Sequence, residues 1–266
     1  MQYGILDVGC DSMGILYHGS KERGLKRLEP HQSTHGVYVY ATYDKFLALH
    51  FSKRCGDDLT YDIGHFDNTE NDPWELVENI PGALEKMYSN SSSIYSFSDE
   101  TFENIHTGFE EVVSPVGVDV IEEEYCDNVY QGILAAEKEG LVKIYRYPNK
   151  PKCLNEDGSS ILDKWRFYKD KLNKSFNKND FDRLVYLHPS LLNKINDVIK
   201  EFNLDFSYEP KDLVDIFNNR VQRQLHDWEH EQYIDCSYIS ICNSFPELKP
   251  RIDPLYEEYK KATDLK

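Results

Sequence analysis

Residues 15–51, ILYHGSKERGLKRLEPHQSTHGVYVYATYDKFLALHF, decide how this chain reads. Ile15-Leu16-Tyr17 is a short apolar and aromatic run that ends on His18-Gly19-Ser20. Gly36-Val37-Tyr38-Val39-Tyr40-Ala41-Thr42 is β-branched and aromatic with a period of two, so it predicts a second strand with Tyr38 and Tyr40 on one face. A histidine and a close-approach glycine at the end of one strand, opposite a pair of tyrosines on the next, suits a flat heteroaromatic ring and its ribose. Taken singly, each of these residues also fits plain packing: a strand-end histidine satisfied in a core, a Tyr-x-Tyr pair in a half-buried strand.

Taken together, the order Tyr17-His18-Gly19-Ser20, Leu28-Glu29-Pro30, Gly36 to Thr42, then Ala48 and Phe51 resembles the opening of the ADP-ribosyltransferase fold of the H-Y-E type, and most of all its bacterial toxin-like members. The resemblance implies NAD as co-substrate. It assigns His18 to the ribose hydroxyls, the Gly19 backbone to the nicotinamide amide and Tyr38 to the nicotinamide ring, with Ser20, Arg23, Tyr40 and Phe46 as further cofactor contacts. The family's catalytic glutamate precedes a short strand, and its Glu-x-x-Ser ending is matched by Glu111-Val112-Val113-Ser114, with Ser93-Ile94-Tyr95 as the preceding strand and Phe102 as its partner. Glu110 is the neighbouring candidate, but adjacent strand residues point to opposite faces and only one can reach a ligand. The spacing to Ser114 favours Glu111.

The resemblance implies an α+β fold, a split β-sheet core with flanking helices over residues 1–150, and helical periodicity predicts a mainly helical part over residues 151–266. The implied activity is mono-ADP-ribosyl transfer to a macromolecular acceptor by a bacterial toxin or defence effector. An NAD glycohydrolase of the same fold and a non-catalytic NAD or ADP-ribose binding module are the alternatives. A protein acceptor and a neutralising partner or antitoxin follow from the toxin reading.

The chain has 266 residues and a formal net charge of −17, with 47 acidic against 30 basic side chains. Such a surface repels the phosphates that supply most nucleic-acid affinity, so nucleic acid is disfavoured as acceptor. Lys21, Arg23, Lys26 and Arg27 form a local basic patch, matched either to the pyrophosphate of NAD or to a solvated loop. No apolar run is long enough to span a bilayer and the first residues lack a secretory pattern, which together predict a cytoplasmic protein without a membrane partner. The six cysteines form no Cys-x-x-Cys pair and receive no role.

Along the chain, residues 1–12 read as a polar lead-in and 43–51 as a helix opened by Asp44. Residues 53–73 read as an exposed loop and 122–140 as a helix ended by Gly140, with a strand over 141–147 and a linker over 148–160. Helices are expected over 160–172, 189–202 and 210–231, the last two with proline in the first turn. His226-Asp227-Trp228-Glu229-His230 also fits His-x-x-Glu-His, the inverted zinc-peptidase pattern, in which two histidines four apart on a helix share a metal. It needs a third ligand, and makes a zinc-dependent hydrolase the rival from another enzyme class.

Overall fold

The computed structural model describes residues 14–33, 35–67, 73–107, 110–155, 157–227 and 230–264; the lead-in 1–12, Phe109 and Glu229 lie outside them. The strands are β1 (Ile15–Ser20), β2 (Arg27–Leu28), β3 (His31–Ser33), β4 (Gly36–Ala41), β5 (Tyr61–Gly64), β6 (Trp74–Glu78), β7 (Ser92–Ser98), β8 (Val112–Ser114), β9 (Val118–Asp119), β10 (Glu122–Cys126) and β11 (Val142–Tyr145). The helices are α1 (Lys45–Phe51), α2 (Ala83–Met87), α3 (Val129–Lys138), α4 (Ser160–Leu172), α5 (Lys178–Leu187), α6 (Leu192–Glu201), α7 (Asp212–His226), α8 (Ile234–Ser244) and α9 (Lys249–Asp264). The protein is α+β, with several small sheets in place of one large one.

Two compact units emerge: residues through Lys53 with Ser89–Ala135, and Arg54–Tyr88 with Ala136 onward. The expected single cut near residue 150 differs from this division. Residues 54–88 belong with the helical half because β6 takes β11 as a parallel neighbour, Trp74 opposite Val142, and because Leu59, Ile80 and Ala83 enter the helical core.

In the first unit, β7 is the central strand of the order β1-β7-β10, and β4 is central in β3-β4-β8. The two sheets are bridged where Tyr17 and Thr42 exchange backbone hydrogen bonds of 2.8 and 2.9 Å. Alternation is the cause of each strand's orientation. Leu16 of β1, Val39 and Ala41 of β4 and Tyr95 and Phe97 of β7 enclose one apolar core, which leaves Tyr38 and Tyr40 together on the opposite face of β4. Their rings meet edge-on, with centroids 6.2 Å apart. Helix α1 starts where Asp44 caps it, its Oδ1 accepting from the amides of Phe46 at 2.7 Å and Leu47 at 3.2 Å.

Several expectations are corrected. Residues 122–126 are strand β10 and not the start of a helix: three consecutive glutamates offer no apolar helical stripe, and Glu123 instead pairs across to Tyr95 on β7. Its Oε1 accepts from Ser93 Oγ at 2.6 Å and from the Gly24 amide at 3.0 Å, and these bonds, Ser93's first, hold the carboxyl below its usual pKa. Residues 53–73 hold β5, whose Tyr61 and Ile63 are strand formers and which pairs antiparallel with β6. Phe102 is no strand partner of residues 93–95; it stacks on Phe97 with ring centroids 6.1 Å apart, and β7 pairs with β1 and β10. Pro189–Leu191 is a 3-10 turn ahead of α6, and α7 runs from Asp212 to His226 only.

The second unit is packed by α4 to α9 around Trp165, Phe181, Leu184, Ile195 and Phe217. His188 follows α5, is buried, and its ring Nε2–H donates to the Leu59 carbonyl at 2.7 Å. Burial pushes its pKa down to about 4, against the raising effect of that bond. The folded state therefore refuses a proton that the unfolded chain accepts near pH 6.5, and stability rises with pH across that window. Between pH 6.5 and 4 the expected loss from this residue is about 3 kcal/mol. Urea unfolding of His188→Gln against wild type should show a shallower fall with acid; parallel curves would refute the assignment.

Candidate active site

The C-terminal half of β1, the outward face of β4, helix α1 and the residue before β8 enclose a cavity of about 360 Å³ in the first unit. His18, Gly19, Tyr40 and Glu111 line it, joined by Ala48 and Phe51 of α1. Residues far apart in the chain are thus brought to one concave surface.

His18 sits opposite Tyr95 in the β1–β7 register and its Nδ1 lies 2.8 Å from the carbonyl of Tyr40. A carbonyl oxygen only accepts, so Nδ1 carries the proton and Nε2 is left as an acceptor, suited to a hydroxyl group. Burial lowers the pKa of this imidazole, the Tyr40 carbonyl opposes the shift, and His31 adds to it. The ring is therefore neutral at pH 7.

Gly19 is required by packing. A Cβ at this position would lie 1.9 Å from the carbonyl oxygen of Ala48 and 2.9 Å from its carbonyl carbon. Strand end and helix backbone touch directly, and this contact brings Ala48 and Phe51 to the cavity wall.

Tyr40 contributes an unsatisfied group: its hydroxyl is buried and has no hydrogen-bond partner among the described residues. Buried hydroxyls are ordinarily paired, so an orphan at a cavity wall marks a place for a ligand's polar atom. Glu111 lies one residue before the paired run of β8, where the β4–β8 register (Ala41 opposite Val112) sets it across from Thr42, another lining residue. Thr107 Oγ1 donates to its Oε2 at 3.1 Å. Glu110 is exposed and lies outside the lining, as the alternation of a strand requires. Ser114, three residues on, is buried, with its Oγ 2.9 Å from Thr101 Oγ1 and 3.0 Å from the Val116 carbonyl. It supports the strand and does not line the cavity.

Other expected contacts fall elsewhere. Tyr38 does not line the cavity; it stands edge-on behind Tyr40 and opposite His31 in the β3–β4 register. Phe46 is buried in α1, pointing into the core. Arg23 lies over the ring of Tyr125, 3.9 Å from its centroid, a cation–π contact that takes it from both clefts. Ser20 lines an adjoining cleft of about 670 Å³ with Lys21 and Arg27, and this cleft shares His18, Gly19, His31 and Phe51 with the cavity. Arg27 is itself bonded to Glu29 at 2.9 Å and Asp119 at 2.7 Å. The basic patch is thus divided, with Lys21 and Arg27 on the cleft.

His31, Ser33 and His35 line the cavity and escaped the sequence expectation. The signal was present at Gly36, whose φ of 138° suits glycine at the start of β4, and the antiparallel pairing of β3 with β4 sets His31 opposite Tyr38. The zinc pattern fares differently. Helix α7 ends at His226 and Asp227 is extended, so His230 does not follow at a helical offset; its Nδ1 instead bonds Asp227 Oδ2 at 2.8 Å. No His, Cys, Asp and Glu cluster able to hold a metal occurs among the described residues, and no helix of them is long and apolar enough to cross a membrane.

Comparison of the chain with protein-family models, with curated proteins and with solved structures gives no match.

Proposed function

We propose that the protein is an NAD-dependent ADP-ribosyltransferase of the H-Y-E kind that cleaves the nicotinamide glycosidic bond and passes ADP-ribose to a macromolecular acceptor. The observation that carries this reading is the convergence of His18, Glu111 and the unpaired Tyr40 hydroxyl on one cavity. The two clefts adjoin through His18, Gly19, His31 and Phe51, and each falls in the range of ordinary ligand sites, about 300–1,000 Å³. Nicotinamide occupies the smaller cavity beside Tyr40, and the pyrophosphate runs past Lys21 and Arg27.

In this reaction the bond from the ribose C1′ to the nicotinamide nitrogen breaks, its electron pair leaves with neutral nicotinamide, and positive charge develops on the ribose. Glu111 is a preplaced carboxylate for that charge and for the 2′-hydroxyl. Neutral His18 accepts from a ribose hydroxyl through Nε2. Tyr40 takes the wall position that the sequence expectation gave to Tyr38, which braces it from behind. The acidic surface, net −17, favours a protein acceptor over nucleic acid, and a toxin or defence effector with a neutralising partner is the setting that fits the resemblance.

Purified protein incubated with NAD is expected to release nicotinamide, faster with cell lysate if a protein accepts ADP-ribose. Equal rates with and without lysate would assign the activity to water as acceptor, a glycohydrolase. A folded protein that binds NAD yet releases nothing under either condition would be a binding module, and the transferase reading would fail.

A further inference from the structure

The helical unit contains a second concave site whose charge is opposite to that of the chain. Arg183 on α5, Arg220 and Arg223 a turn apart on α7, and Arg54 line a cleft of about 560 Å³. The acids on its wall have partners of their own: Asp57 with Arg183 at 2.6 Å, Glu231 with Arg54 at 3.7 Å and Lys86 at 3.9 Å, and Asp227 with the His230 ring at 2.8 Å. Neither Arg220 nor Arg223 has a carboxylate oxygen within ion-pair distance among the described residues. Arg220 Nη1 reaches only the neutral Gln232 Oε1 at 3.4 Å, and its guanidinium stands 5.8 Å from the centroid of the Tyr186 ring. Gln232 is itself buried and pinned, its backbone N–H donating to Gln224 Oε1 at 2.7 Å and its side-chain Nε2 to the His230 carbonyl at 2.9 Å.

A chain with 47 acids and 30 bases does not leave arginines unpaired for want of carboxylates. Taking a guanidinium partly out of water costs free energy unless an anion compensates it. Burial, and then the like charges of Arg183 and Arg223, hold the Arg220 guanidinium below its ordinary pKa against the opposing pull of Tyr186 and Asp182, and a bound anion would relieve that repulsion. Planar guanidinium forks match phosphate oxygens in pairs.

We propose that this cleft binds a phosphate-bearing small molecule, with Arg220 and Arg223 as its direct ligands and Arg183, held in place by Asp57, beside them. The site belongs to the helical unit and is independent of the NAD reading.

The test is calorimetric titration of the full-length protein with inorganic pyrophosphate at fixed ionic strength. Wild type should bind saturably, and Arg220→Gln and Arg223→Gln should each weaken binding about tenfold or more. Arg166→Gln, outside the lining of the cleft, should leave it unchanged. Arg223 is exposed on α7, so its variant reports even if Arg220→Gln fails to fold. No saturable binding by wild type would overturn the proposal. So would equal weakening by Arg166→Gln, which means diffuse charge, or weakening by Lys21→Gln alone, which sends the anion to the other cleft.

Discussion

Glu111→Gln is expected to slow nicotinamide release by about a hundredfold or more, the usual consequence of removing one preplaced electrostatic partner of a transition state. Glutamine keeps the shape and the hydrogen bond from Thr107 Oγ1, so the variant removes charge and little else. NAD affinity should change by less than about threefold, because the charge on the ribose exists only as the bond breaks and ground-state binding does not draw on it. Glu110→Gln is the matched control: that side chain is exposed and outside the cavity, and its rate should stay within about twofold of wild type. Single-turnover nicotinamide release, with NAD binding measured separately by calorimetry, distinguishes the outcomes. Equal losses in the two variants would mean that general acidity near the cleft matters and that no single carboxylate is catalytic. An unchanged rate in Glu111→Gln would remove the transferase mechanism altogether.

The parts of the site that were legible in the sequence are the ones written locally. His18-Gly19 at a strand end, the period-two Tyr38-x-Tyr40 run and Asp44 at a helix start each express their structure within a few residues, and Glu111 was marked by its distance to Ser114. What was not legible depends on partners distant in sequence. The choice of Tyr40 over Tyr38 as the lining residue follows from where β3 and its histidines sit against β4, a pairing that alternation cannot reveal. Residues 122–126 were read with the helical spacing that begins at Tyr125, and they become a strand because they pair along the side of β7 not taken by β1, where Ser93 and Tyr95 supply hydroxyls to Glu123. Tertiary pairing overrides local preference there. The unit boundaries were hidden for the same reason, since the parallel pairing of β6 with β11 joins segments that no local signal connects. The arginines of the helical unit were invisible because Leu213, Phe217 and Val221, all buried, account for α7 as packing, while its polar positions find meaning only beside Arg183 of α5.

Gly19→Ala carries the largest expected structural effect, and it comes from a single methyl group. The added Cβ would lie 1.9 Å from the Ala48 carbonyl oxygen and 2.9 Å from Ser52 Cβ, and the nearest obstacle is backbone, which cannot rotate away as a side-chain tip can. To reach ordinary contact α1 must retreat by more than 1 Å, roughly the difference between 1.9 Å and the ~3.4 Å at which such contacts become normal. Overpacking of this kind costs about 1–3 kcal/mol, and the rigid partner places this case at or above the upper end. The retreat also carries Ala48 and Phe51 out of the cavity wall, so NAD binding should fall at least tenfold even at temperatures where the protein stays folded. Gly64→Ala provides the contrast: its nearest neighbour would be a Phe66 ring atom at 3.4 Å and its backbone is unstrained, so a strand glycine there can gain a methyl at no cost or with slight benefit. Thermal unfolding of the two variants, with NAD titration of each, separates the effects. A Gly19→Ala protein as stable and as well bound as Gly64→Ala would mean that β1 and α1 do not meet at Gly19, and the cavity they frame would have to be redrawn.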